Sequence, residues 1–197
     1  LIPDPAIRAI AGGGLPGETY TMQFWSDAPM GLPASALRNR DLIAFDDILA
    51  AIGDIDAHVG LIIESCYAGL AERAVAVAGR PGSLDLLVVS SGALQLSHLN
   101  KDRTVSLYSD ALGLATTAGG PTFGDVLVAA NNTAVERATA LCRDLDITPE
   151  SFSKLLPNHP VPQSDREDGS VNLPDWFCIQ QPHVTDYSGV ISSLPVG

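Results

Sequence analysis

Val59-Gly-Leu-Ile-Ile-Glu-Ser-Cys-Tyr-Ala-Gly69 opens as a short apolar run and closes on a cysteine, an aromatic residue and a glycine. A continuous apolar run of this length suits a strand buried on both faces, as in a parallel sheet covered by helices. Cys66 then falls just past the strand's carboxyl end. Leu70 to Ala78 reads as the helix that follows, and Leu84 to Val89 repeats the buried-strand pattern until Ser90-Ser91-Gly92 breaks it.

Upstream, Thr19 to Trp25 is rich in β-formers and predicts a strand ending at Ser26-Asp27-Ala28-Pro29. Pro5 to Ala11 predicts a short helix before Gly12-Gly13-Gly14. Asp41 to Ile52 carries Leu42, Phe45, Ile48, Leu49 and Ile52 at the three-and-four spacing of an amphipathic helix, with Gly53 as its stop. Downstream, Val105 to Ala115 and Phe123 to Leu145 read as two more helices. Strands alternating with helices predict an open, mainly parallel α/β sheet flanked by helices in three layers, with ligands collecting at the carboxyl strand ends. Asp27, Cys66 and Ser90 occupy such ends. From Thr148 onward prolines multiply, so residues 1–147 are read as one α/β domain. Residues 148–197 are read as an irregular Pro-rich segment with one strand over Trp176 to Ile179.

Composition narrows the function classes. A chain of 197 residues with 46% hydrophobic and 17% charged content is long and apolar enough to bury its own core. A formal charge of -12 disfavours nucleic acid and anionic lipid surfaces, which need clustered Lys and Arg. No apolar stretch is long enough to span a bilayer, so no membrane partner is expected. Cys66, Cys142 and Cys178 are odd in number and widely spaced, which suits neither a disulfide framework nor a zinc site, so at least one free thiol and no metal or cofactor are expected.

A cysteine between a strand's carboxyl end and a helix has its thiolate stabilised by backbone N–H groups and the helix dipole. The competing reading is a small buried hydrophobe, as most unpaired cysteines are. The neighbouring residues favour the first. Leu61-Ile-Ile-Glu-Ser-Cys-Tyr-Ala-Gly69 resembles the nucleophile strand of legumain-like cysteine peptidases, where an apolar run enters Glu-Ala-Cys-Glu-Ser-Gly. Met22-Gln-Phe-Trp-Ser-Asp-Ala-Pro-Met-Gly31 is similar to that family's histidine strand, which ends in Thr-Asp-His-Gly. Leu86-Leu-Val-Val-Ser-Ser-Gly92 is similar to the strand bearing its substrate-pocket loop, with Arg103 to Asp110 on the continuation. The resemblance covers residues 19 to about 118.

The resemblance implies the caspase-like version of the α/β/α sheet, Cys66 as nucleophile, and a peptide or protein as substrate. In that family a histidine is acid and base and N–H groups hold the oxyanion. Here Ala28 stands at the histidine position and Pro29 at that of the next glycine, so the chain is expected to be impaired in turnover, by about 10²–10⁴ in the acid–base step. Glu64 is implied as a pocket acid and Asp110 as a second, with Ser90 beside them. Two acids without an arginine favour Lys or Arg in the substrate, and the full set with an arginine favours Asn or Asp. The plainer reading of Glu64 is a capped, solvated carboxylate. Only 18 residues precede Thr19, too few for the family's first strand and helix, so a processed or partial chain is expected, its sheet completed by another chain or segment.

Two histidines compete for the vacant role. His58 lies eight residues before Cys66, about 26 Å away along a strand, and is excluded. His98 follows the next strand on the same edge, where a loop can carry it toward Cys66.

Other chemistries fit less well. A cysteine phosphatase needs Cys-x5-Arg, whereas Arg73 is one residue too far. An amidotransferase needs a downstream His-x-Glu, whereas His183 is followed by Val184-Thr185. Asn131-Asn132-Thr133 matches a glycosylation sequon but falls inside a predicted helix. The reading of another class is a pseudopeptidase that binds peptide or protein without cleaving it.

Overall fold

The computed structural model describes residues 21–23, 42–93, 95–100, 104–144, 147–155 and 178–196, with isolated positions 161, 167, 169–171 and 173. The predicted helix Pro5 to Ala11, the positions of Ala28 and Pro29, and Trp176 lie outside the described residues.

Two short strands, β1 (Thr21–Gln23) and β2 (Leu42–Ala44), pair antiparallel as a separate ribbon. Helix α1 (Phe45–Gly53) follows directly, later than the predicted start at Asp41, because Leu42 belongs to β2. Its apolar stripe still forms as read: Phe45, Leu49 and Ile52 are buried, and Asp46 and Asp47 sit at the positive end of its dipole.

The main sheet runs β3 (Val59–Ile63), β4 (Leu84–Val89), β5 (His183–Asp186), with α2 (Leu70–Ala78) as the crossover between the parallel pair β3 and β4. Strand β5 lies antiparallel on the far side of β4, so the sheet is mixed. This places a strand where the C-terminal segment was read as irregular: four residues of His-Val-Thr-Asp are too few to show alternation. Downstream of β4 come α3 (Leu107–Ala118), α4 (Phe123–Asp144) and α5 (Pro149–Leu155).

Helices cover both faces of the sheet. Ile63, Leu84, Leu87 and Val89 pack against Phe45, Leu49, Ala71 and Val75 of α1 and α2. Leu86 and Val88 face the opposite way, onto Tyr108 and Ala111 of α3 and Val126 and Ala130 of α4. The chain is therefore an α/β protein with a buried central strand. All six residues of β4 are buried, as the apolar run predicts. β3 is different: Gly60 is exposed and Ile62 keeps 41% of its surface in water, because among the described residues β3 pairs on one side only.

The register slips where Val59 faces Leu84 and Gly60 faces Leu86, which leaves Asp85 as an extra residue. This bulge is why Leu84 and Leu87 face the same side, and it frees the buried Asp85 carboxylate to meet the ring of His58. Hydrogen bonding to His58 holds the Asp85 carboxyl below its usual range, burial opposes that, and a hydrogen bond from Ser188 adds to it. The folded pKa is depressed, so this stabilisation is fully present above the unfolded value of about 3.9 and is lost as pH falls through the lower folded value. Urea midpoints measured across that acid range are expected to fall more steeply for the native chain than for Asp85→Asn. Equal slopes would remove Asp85 as a cause.

Among the described residues no helix is long and apolar enough to cross a membrane, and no group of three or more His, Cys, Asp or Glu is placed to hold a metal ion.

Candidate active site at Cys66

Cys66 is three residues past the end of β3, in a turn closed by Tyr67, whose φ of 61° is left-handed. A non-glycine residue there costs on the order of 1–2 kcal/mol and persists only where its surroundings hold it. Here the chain after β4 holds it. The Tyr67 N–H donates to the Gln95 carbonyl at 2.7 Å, the Ala68 N–H to Ser91 Oγ at 3.2 Å, and the Gly69 N–H to the Ser91 carbonyl at 2.8 Å. Ser91 Oγ donates in turn to the Ser65 carbonyl at 3.0 Å. One buried serine thus ties both sides of the turn.

The half-buried thiol meets the same loop. The Ser97 N–H donates to Cys66 Sγ at 3.4 Å, and the Ser97 carbonyl lies 3.7 Å from it as acceptor for the S–H. The N–H that meets the sulfur therefore comes from the loop after β4. The N–H groups of Tyr67, Ala68 and Gly69 are already engaged, and α2 begins at Leu70, beyond the reach of a strong dipole effect.

Ser90 is fully buried, with its Oγ 3.5 Å from Ser97 Oγ and its carbonyl accepting from Gln180 Nε2 at 2.9 Å. It supports the loop that touches Cys66. Gln180, also fully buried, accepts from the His98 N–H through Oε1 at 2.9 Å. Gln181 N–H donates to Gln95 Oε1 at 2.8 Å, and Gln95 Nε2 to Gln181 Oε1 at 3.0 Å. Residues 180–181 thus form a strap across the loop.

Glu64 meets the start of α3. Its carboxylate accepts the Ser109 N–H at 3.0 Å and the Ser109 hydroxyl, capping the first turn of α3 beside the Ser106 cap. Its charge, after burial itself, pushes the ionisation of the buried Tyr108 phenol far up. Asp110, one residue on, forms an ion pair with Arg137 of α4. The two acids are brought to one helix terminus, but each already has a partner within the chain.

His58 is held at the other end of the sheet by Asp85, and His183 pairs with Glu72. His98 is different. The Ser97 carbonyl oxygen lies about 2.8 Å from the next Cα by peptide geometry, so the His98 Cα is within roughly 6.5 Å of Sγ.

A cavity of about 470 Å³ lined by Thr122, Gly124, Leu127, Val184 and Ser192 lies between α4 and β5 and does not include Cys66.

Compared with protein-family models, with curated proteins and with solved structures, the chain finds no match.

Proposed function

We propose that this chain is a cysteine peptidase domain of legumain and caspase type, with a caspase-like α/β/α sheet, Cys66 as the nucleophile and turnover impaired by Ala28. The observation that carries the reading is the setting of Cys66: carboxyl end of a parallel strand, left-handed turn, thiol held by a backbone N–H from the adjacent strand's loop. Such a position presents a sulfur to a bound carbonyl. The substrate is a peptide or protein segment.

A second reading, a peptide-binding module without turnover, is favoured by the N–H groups of Tyr67, Ala68 and Gly69, which are spent within the fold, and by the internal partners of Glu64 and Asp110.

The test is cleavage of a mixed peptide library by the native chain, Ala28→His, and Ala28→His with Cys66→Ala. The imidazole is expected to raise turnover by about 10²–10⁴, and loss of the thiol to abolish it. Cleavage by the native chain that disappears in His98→Ala would assign the base to His98. Peptide capture with no cleavage by any variant would support the binding module and end the peptidase reading.

A further inference from the structure

Cys142 lies on the last turns of α4 and Cys178 in the C-terminal segment, far apart in sequence. The fold brings them together. Both pack against the small core of Ile147, Phe152 and Val171, close enough for Cys178 to act on the Cys142 thiol. Leu96, from the loop that holds Cys66, joins the same cluster. Two and three residues beyond Cys178, Gln180 and Gln181 grip that loop through the His98 N–H, the Ser90 carbonyl and the Gln95 side chain.

We infer that Cys142 and Cys178 are a redox pair that closes to a disulfide, pinning the 178–181 strap, and through it the Cys66 loop, to α4. This does not depend on what Cys66 does. The oxidant class is a small-molecule disulfide, of which oxidised glutathione is the probe. The Cys178 thiolate attacks one sulfur of the probe and expels one glutathione thiolate. Cys142, giving its proton to solvent, then displaces the second glutathione from the mixed disulfide. The chain loses two electrons and two protons, and both glutathiones leave reduced. Burial, then contact with Cys178, holds Cys142 as the thiol, which leaves the first attack to Cys178 and the second step to the proximity of the mixed disulfide.

The full chain is equilibrated with oxidised glutathione, alkylated with iodoacetamide and mapped without reduction. A Cys142–Cys178 cross-linked peptide is expected, with Cys66 the cysteine left unlinked. Amide exchange at His98 and Gln181 is expected to slow by about tenfold on oxidation. Cys142→Ser is expected to leave a stable glutathione adduct on Cys178, and Cys178→Ser to leave Cys142 unmodified. Two glutathione adducts on the native chain, or both thiols still alkylated, would overturn the pairing. A cross-link without slower exchange at His98 and Gln181 would overturn the coupling to the Cys66 loop.

Discussion

Gly69→Ala is expected to lower thermal stability by roughly 6–12 °C, equivalent to about 3 kcal/mol at this chain size. A Cβ at position 69 would sit 2.5 Å from the Ala93 N and 2.8 Å from the Gly92 carbonyl carbon. Both are backbone atoms, so no side chain can turn aside to make room. The whole segment from Ser91 to Gln95 must shift, and with it the acceptors of the Tyr67, Ala68 and Gly69 N–H groups. The left-handed Tyr67 then loses what holds it. Gly113→Ala is the control. That glycine lies within α3 with nothing near its missing Cβ, so alanine there is expected to stabilise by about 0.5–1 kcal/mol. Thermal melts of the two variants should move in opposite directions. A Gly69→Ala chain as stable as the native one would mean that the turn and the loop are not packed as described.

Gln180→Met is expected to cost about 2–4 kcal/mol, although the side chain keeps its volume. Gln180 is fully buried, its amide donates to the Ser90 carbonyl and approaches Ser97 Oγ at 3.5 Å, and its Oε1 accepts the His98 N–H. Methionine fills the space and satisfies none of these groups, and each buried group left unmatched costs about 1–3 kcal/mol. Gln180→Glu separates the two halves of the contact. It keeps an acceptor for His98 but turns an oxygen on the Ser90 carbonyl and places a charge away from water, so at neutral pH it should be at least as destabilising as methionine. Urea denaturation gives the energies, and faster exchange of the His98 amide localises the cause. Native-like stability of both variants would remove Gln180 as the brace of the loop.

These two residues also mark where the sequence stops being legible. Helix α2 begins and ends where its composition says, because an Ala-rich run lies between glycines. β4 follows from six residues that all pack inward. Composition could not distinguish a strand at the centre of a sheet from one at its edge, since Ile62 is as apolar as Val88 yet stays exposed. Leu42 fits the stripe of α1 and was assigned to it, but a three-residue strand has no period of its own to argue against that. Cys66 and Ser90 were legible as strand-end residues because a strand's carboxyl end is a property of local pattern. Ser91, Gln95, Ser97 and Gln180 were not, because polar contacts between distant segments leave no periodic trace. Glu64 was readable both as a pocket acid and as a cap. Its geometry is that of a cap for α3, set by Ser109, a partner 45 positions away that only the fold supplies.

The third strand of the sheet has a consequence for how the protein is made. β4 carries Leu-Asp-Leu-Leu-Val-Val and receives β5 from roughly a hundred residues further along the chain. At ribosomal speeds of about 5–20 residues per second, the strand waits about 5–20 s with its second edge unpaired. Until β5 arrives, β4 offers an open apolar edge of the kind that recruits strands from other chains. Nascent molecules therefore carry an exposed edge at β4 that the finished fold covers, and are a stage at which a chaperone would help.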